Sequence, residues 1–430
     1  MAGLRSPIDE TIRGIPPGTG SVSLDTIASQ AWRPADNSMP LPVLTLDEAA
    51  FRENCRQMFA FARSHGAALA PHAKTPMSPD IVKLLLEQGA WGATTANLQQ
   101  TAVLLKAGCQ RLLLANQIGG DASGRRLGEL LKQYPDADVR VFADSPQAVS
   151  ALAVAGQYAG RPIPVIIEVG RGRAGARNIN SARDVIQSIA SAPDRVRFAG
   201  VAAYEGAVAS ADPVATQNAI EELSELAAQT FHLVREQAPA APLVLSAGGS
   251  AFFDLVVTAL QPIVAADGNA TFVLRSGAIF FHDHGVYERA LRAVDDRKGF
   301  VIDGEIRSAV VAFAPALRLW AEVLSRPEPQ LAICGMGMRD VSSDQHLPIP
   351  LNIYRNGRLL PVDGSANPLR VSKLNDQHAF LRLPSGADLA VGDVVEFGIS
   401  HPCTCLDRWR VFYGLDEDGR VCSAFQTYFG

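Results

Sequence analysis

From Ala67 onward the chain repeats one pattern: a short apolar run, a turn, then a stretch whose apolar positions recur every three or four residues. Apolar runs of this length read as buried strands, and the 3.6-residue period reads as helix. The runs fall at 67–70, 91–95, 111–115, 138–143, 163–169, 198–204, 242–247 and 271–275, with helix-period stretches such as 79–88, 98–107, 146–155 and 213–237 between them. Strands alternating with helices over about 210 residues predict a closed parallel barrel of the (β/α)8 TIM type, so the fold class is α/β. After about residue 300 the texture changes to short apolar segments at 309–314, 317–324, 330–334, 379–383, 394–398 and 410–413. Turns such as Arg355-Asn-Gly-Arg358 and Asp416-Glu-Asp-Gly419 separate them, which predicts a β-rich second domain.

The first 45 residues are rich in breakers, with Ile15-Pro-Pro-Gly-Thr-Gly20 the densest cluster, and read as an arm that joins the β-domain. A strand at 42–46 is followed by Asp47 as an N-cap, for a helix that ends near His65-Gly66. The expected organisation is an arm (1–45), a barrel (46–295) and a β-domain (296–430). Of the 430 residues, 47% are hydrophobic and 19% charged, enough apolar material for more than one core. A net charge of -5 with scattered Lys and Arg argues against nucleic acid as a partner. No run approaches the ~18 apolar residues of a membrane span. Asp9, Glu10 and Arg13 stand where a secretory apolar segment would lie, so the expected location is cytoplasmic. The 6 cysteines are too sparse for a disulfide framework, and Cys55, Cys109, Cys334 and Cys422 read as isolated.

A barrel fixes where chemistry should sit, because its catalytic groups lie where strands end and βα loops begin. The run Ala67-Ala-Leu-Ala-Pro-His-Ala-Lys-Thr75 delivers His72 and Lys74 at such an end. A partly desolvated lysine has a lowered pKa and serves as a Schiff-base nucleophile and base. Asn97, Asn116, Gln117, Arg173, Tyr204 and Glu205 follow other strands toward the same mouth. After the seventh strand, Ser246-Ala-Gly-Gly-Ser250 precedes a helix starting near Ala251 and reads as an anion seat in which Gly248, Gly249 and the flanking serines surround a phosphate. In the β-domain, His401 and Cys403 lie two apart on an expected extended segment, where alternate side chains point the same way and could hold zinc. Cys405 would share that face as a third ligand or a bystander.

Taken together, Pro71-His-Ala-Lys-Thr75, Arg173-Ala-Gly175, Tyr204-Glu-Gly206, Ser246-Ala-Gly-Gly-Ser250 and His401-Pro-Cys403 give a chain that resembles the pyridoxal-phosphate family of D-threonine aldolase and D-serine dehydratase, from about residue 40 to the end. The resemblance implies an alanine-racemase-like barrel followed by a β-domain. It implies that Lys74 is the Schiff-base lysine, that the Gly248-Gly249 loop cradles pyridoxal 5'-phosphate, and that Arg173 and Tyr204 lie near the cofactor ring. His401 and Cys403 match the family's metal pair, for Zn2+ first and Mn2+ or Mg2+ as alternatives. The implied reaction is dehydration and deamination of a D-3-hydroxy amino acid such as D-serine, D-threonine or D-3-hydroxyaspartate to a 2-oxo acid and ammonia. Cleavage to glycine and an aldehyde, as in the aldolases, is the alternative; retention of the cofactor without turnover is a third reading. Two stretches depart from the family: Ile279 stands in Arg275-Ser-Gly-Ala-Ile279 where an aromatic residue is usual, and Asn375-Asp-Gln-His378 replaces a Glu-Glu-His run. Asp283 and its neighbours His282 and His284, His378, and Arg339 are the candidates to meet substrate or metal, with Arg339 reaching across the interface of a homodimer.

Overall fold

The computed structural model describes residues 6–361 and 369–429. Strand β1 (Val43–Asp47) precedes the helix Glu48–Ser64, and then the barrel strands follow: β2 (Ala68–Leu69), β3 (Ala93–Thr95), β4 (Arg111–Leu114), β5 (Asp138–Ala143), β6 (Ile163–Glu168), β7 (Val196–Ala202), β8 (Leu243–Ala247) and β9 (Ala270–Leu274). Each pairs in parallel with its neighbour in the order β2-β9-β8-β7-β6-β5-β4-β3. A bridge between His72 and Thr94 joins the two ends, with the Thr94 amide donating to the Pro71 carbonyl at 2.9 Å and the Ala73 amide to the Thr94 carbonyl at 2.8 Å. The ring is thus an eight-stranded parallel barrel, nearly closed, as the periodicity predicts.

Its packing explains the sequence pattern. Every residue of β6 and β8 is buried, because one face meets the barrel interior and the other meets helices. Inside, Phe142 is accommodated by small neighbours, Ala70, Ala199 and Ala202, and completed by Leu113, Ile166, Val244 and Val273. Helix starts follow the capping residues: Asp47 accepts the Ala50 amide at 2.9 Å, and Asp212 accepts the Val214 amide at 2.9 Å to open the helix Pro213–Gln237. Gly124 and Gly128 let the helix Gly120–Lys132 lie directly on Pro146–Ala159; a Cβ at Gly124 would meet the Ala151 carbonyl at 2.1 Å.

The remaining strands are β10 (Val301–Ile302) and β11 (Glu305–Ile306), a small hairpin, then β12 (Leu317–Glu328), β13 (Leu331–Cys334), β14 (Ile349–Arg355), β15 (Arg358–Leu359), β16 (Arg370–Leu374), β17 (Ala379–Arg382), β18 (Val394–Gly398), β19 (Val411–Leu415) and β20 (Val421–Gln426). Among the described residues the main sheet runs β15-β14-β18-β12-β1-β19-β20. β1 sits in its middle, antiparallel to β12 and parallel to β19. The arm covers this sheet through Ile8, Ile15, Val22, Leu24, Ile27 and Trp32, which pack on Trp320, Val411 and Tyr413. One expected β segment is a helix instead: 309–314 forms the turn Ala309–Ala312. The cause is local capping, since the Ser308 hydroxyl accepts the Val311 amide and the Asp295 carboxylate accepts the Ala309 and Val310 amides, which outweighs the β preference of Val310 and Val311. Among the described residues no helix is long and apolar enough to cross a membrane.

Candidate active site

The turn after β2 carries Lys74 into a cavity at the C-terminal mouth of the barrel. This cavity of about 70 Å³ is bounded by Lys74, His72, Tyr204, Arg275, Tyr287 and Cys403, with Thr75, Ser250 and Gly277 completing the wall. Lys74 is solvent-accessible through this cavity yet ringed by protein. Desolvation lowers its pKa, the cationic Arg173 and Arg275 reinforce the shift, and Cys403 opposes it. A larger neutral-amine fraction at ordinary pH is what a nucleophilic lysine needs. His72 shares the wall; burial and the adjacent Lys74 hold its pKa well below the usual range, so it is a neutral imidazole. Its buried Nδ1 has no hydrogen-bond partner in the protein. Gly277 is required here, because a Cβ would lie 2.6 Å from the His72 carbonyl oxygen.

Arg173 and Tyr204 come together as one unit, the guanidinium 4.8 Å above the phenol ring, with Arg173 Nη2 3.4 Å from the buried Glu168 carboxylate. Gln117 reaches the other oxygen of Glu168 at 2.5 Å. Asn97 and Asn116 take no part in the cavity wall: Asn97 caps the helix Leu98–Lys106, and Asn116 donates to the Ala96 carbonyl at 3.1 Å.

In the glycine loop the backbone amides have a partner within the protein. Glu205, almost fully buried, accepts the Gly248 amide at 3.1 Å and the Gly249 amide at 2.5 Å, so a carboxylate already occupies the donors assigned to phosphate. Ser246 also faces elsewhere, because its hydroxyl donates to the Val273 carbonyl at 2.8 Å and accepts from Arg275 at 2.6 Å. Ser250 does line the cavity, and its hydroxyl oxygen accepts the Ile279 amide at 3.2 Å.

His401 and Cys403 adjoin the lysine from the β-domain side, but not on a strand. Pro402–Leu406 is a short helix with Pro402 in its first turn, where proline's fixed φ is suited. His401 and Cys403 still interact, while Cys405, two positions on along a helix, turns into the core and is fully buried. Cys403 Sγ lies 3.3 Å from Thr75 Oγ1, next to Lys74. His401 Nδ1 is 2.6 Å from Asp344, whose other oxygen accepts from Thr404 at 2.8 Å. Burial works against the charged imidazole, but the contacts with Cys403 and Asp344 prevail and carry its pKa up to about 9. A carboxylate on Nδ1 commits Nε2 to any metal, the usual outer partner of a metal-binding histidine. Among the described residues no group of three or more His, Cys, Asp or Glu could hold a metal ion.

Asp283 is buried on the His401 side, accepts the Gly285 and Tyr287 amides at 2.6 and 3.0 Å, and is pushed up to about 6 by burial. His282 and His284 are packed near it and do not line the cavity. His378 and Arg339 lie outside it too: both are exposed, His378 at the end of the β16–β17 turn and Arg339 paired with Asp376 at 3.2 Å. Sequence reasoning passed over Tyr287 and did not assign Arg275 a role. Arg275 had a positional signal, since it directly follows the last barrel strand, whereas Tyr287 lies on a helix beyond the barrel strands and had none.

Comparison with known proteins places this geometry. The alanine racemase N-terminal domain model matches residues 46–259 and the putative serine dehydratase domain model matches residues 316–415. D-threonine aldolase of an Arthrobacter species is 29% identical over 367 residues, 84% of this chain and 85% of that protein. Among solved structures, D-threonine aldolase from Filomicrobium marinum superposes with a TM-score of 0.70 at 21% identity, covering 90% of this chain and 95% of that one. A cysteine-to-alanine variant of D-threo-3-hydroxyaspartate dehydratase in its metal-free form superposes with a TM-score of 0.67 at 19% identity, covering 91% and 98%. The chain thus has the alanine-racemase-like fold, joins a match to the alanine racemase N-terminal domain to a match to the putative serine dehydratase domain, and is similar over most of its length to D-threonine aldolase.

Proposed function

We propose that the chain is a pyridoxal-phosphate-dependent, metal-assisted dehydratase that converts a D-3-hydroxy amino acid to a 2-oxo acid and ammonia. The observation that carries this reading is the meeting of Lys74 from the barrel with Cys403 from the β-domain at one cavity. The residues present fit the cofactor: an amine with a lowered pKa, a neutral imidazole with an unpartnered nitrogen, and a lining that includes Lys74 and Arg275 but no carboxylate. They fit a metal as well, because imidazole and thiolate suit zinc and a two-donor site leaves positions open for substrate oxygen.

When bound, pyridoxal phosphate supplies an electron sink for charge developing at the substrate Cα. The metal supplies Lewis acidity toward the β-hydroxyl, a poor leaving group. Lys74 Nζ would link to the cofactor at rest and, once freed by the substrate amine, take the Cα proton. Arg275 on the cavity wall, with Arg173 above the Tyr204 ring, would offer positive charge to the substrate carboxylate. His401, held by Asp344, and Cys403 would keep the metal beside Thr75 and Lys74, so that proton removal and C–O cleavage occur in one enclosure. The departing hydroxide and the Cα proton together make water, and hydrolysis of the released enamine returns that water to give the 2-oxo acid and ammonia.

The test is product analysis with D-serine, D-threonine and D-3-hydroxyaspartate, with and without a chelator, on wild type and Lys74→Ala. Chelator-sensitive ammonia and 2-oxo acid, absent in the variant, support the proposal. Glycine and an aldehyde would replace it with the aldolase reaction, and a protein that takes up no pyridoxal phosphate would end it.

A further inference from the structure

We infer that Thr427 and Tyr428 form a positioning clasp that holds the turn bearing Lys74 at a set separation from the His401 and Cys403 pair. The inference rests on the proposed use of these residues in one reaction. The lysine turn is closed by the Met77 amide, which donates to the Ala73 carbonyl at 2.8 Å and so encloses Lys74, Thr75 and Pro76. Met77 is fully buried and has a left-handed backbone at φ 38, a conformation that residues other than glycine rarely adopt and that persists where the surroundings hold it. Its carbonyl accepts the Tyr428 amide at 2.9 Å. The Tyr428 carbonyl in turn accepts Gln99 Nε2 at 2.9 Å, from the first turn of the helix Leu98–Lys106 that follows β3. The tail is therefore hydrogen-bonded to the barrel on both sides of Tyr428.

The other end of the clasp belongs to the segment that carries His401 and Cys403. In the β19–β20 ladder Val411 lies opposite Gln426. Thr427 extends that pairing, its amide donating to the Arg410 carbonyl at 3.0 Å and its hydroxyl to the Trp409 carbonyl. Trp409 is buried and fixed in turn, because its Nε1 donates to the Asp340 carbonyl at 2.9 Å. Trp409 and Arg410 follow the helix Pro402–Leu406, which starts at His401 and contains Cys403. Two consecutive residues thus tie the chain just after the proposed metal donors to the chain just after the proposed nucleophile. The 3.3 Å contact of Cys403 with Thr75 joins the same two segments through side chains alone. Backbone pairing holds a separation more firmly, since a side chain can change rotamer. The chemistry is sensitive to that separation, because a displacement of about 1 Å can cost roughly 100-fold in rate.

The experiment compares wild type with Tyr428→Pro, which removes the amide donor, Tyr428→Ala, which keeps that donor and removes the ring, and Gln99→Glu, which keeps the shape and removes the donor to the Tyr428 carbonyl. One readout is the yield of a Lys74–Cys403 cross-link formed by a short amine- and thiol-reactive reagent, measured by peptide mass spectrometry on the full chain freed of cofactor and metal. The other is steady-state turnover of the loaded enzyme. Tyr428→Pro should lower the cross-link yield several-fold and kcat by about tenfold or more, with KM within about twofold, because substrate binding is kept while alignment of the reacting groups is lost. Gln99→Glu should move both in the same direction by less, and Tyr428→Ala should keep the wild-type cross-link yield. Gln99 is exposed, so its variant carries the test if Tyr428→Pro fails to fold. Wild-type cross-linking and kcat in both Tyr428→Pro and Gln99→Glu would overturn the clasp. An equal fall in Tyr428→Ala would overturn it too, by assigning the effect to ring packing. The expected cross-link pattern in a protein that turns over no D-3-hydroxy amino acid would support the clasp and defeat the dehydratase reading.

Discussion

Replacing Glu205 by glutamine changes one oxygen to an NH2 and very little else in shape, which makes it a sharp probe of the glycine loop. In the native loop one carboxylate accepts two amides, Gly248 at 3.1 Å and Gly249 at 2.5 Å, while itself 1% exposed. Glutamine keeps one acceptor but points a donor at the other amide. The loss is one hydrogen bond to a charged group, about 1.5–3 kcal/mol, and the orphaned amide is removed from water with no substitute partner. Expressed as local opening, that energy speeds hydrogen exchange at the loop amides by roughly 10–150-fold, since each 1.4 kcal/mol is a factor of ten. Exchange of the peptide spanning β8 and the loop, followed by mass spectrometry, reads this directly, with a peptide from β5 as an internal reference that should not move. Glu205→Asp should also lose protection, because the shorter side chain cannot reach both amides. Unchanged exchange in Glu205→Gln would refute the claim that this carboxylate holds the loop.

Asp344→Asn weakens the grip on His401 Nδ1, and loss of such an outer partner typically costs 10–100-fold in metal affinity. Competition against a chromophoric chelator measures this, and an unchanged affinity would show that Asp344 does not orient the ligand. Cys403→Ala should abolish metal retention and ammonia release while leaving pyridoxal phosphate binding intact; loss of cofactor binding as well would mean that the thiol supports the barrel mouth rather than a metal. Burial holds His282 and His284 down to about 4, so between about 6.5 and about 4 the unfolded chain takes up protons that the folded one refuses. These two groups therefore make stability fall as pH drops through that window, while Asp283, raised to about 6, acts in the opposite sense over the lower part. His282→Asn, which keeps an acceptor for the Asp283 amide and tolerates the left-handed backbone at φ 48, should flatten the decline in denaturation curves; an equally steep decline would exclude His282 as a source.

The barrel and the entry of Lys74 into its mouth were legible in the sequence because they depend on local order. Strands buried on both faces need continuous apolar runs, and the helices between them need an apolar stripe and a cap, as at Asp47 and Asp212. A lysine just past such a run is placed at the mouth by chain length alone. Short-range order also gave the pair His401 and Cys403, although Pro402 made the segment a helix and turned Cys405 away. What tertiary structure decided were contacts that no local pattern encodes: the Glu205 carboxylate under the glycine loop, the thiol of Cys403 against Thr75 across 328 positions, and Tyr287 on the cavity wall with Ser250. Each depends on barrel closure or on the packing of the β-domain over the mouth. Tertiary structure likewise set where His378 and Arg339 lie, both exposed and Arg339 paired with Asp376. Periodicity reports which face of an element is buried; which polar groups share the burial is set only when distant elements meet, because buried donors and acceptors must be satisfied by whatever lies within hydrogen-bond reach.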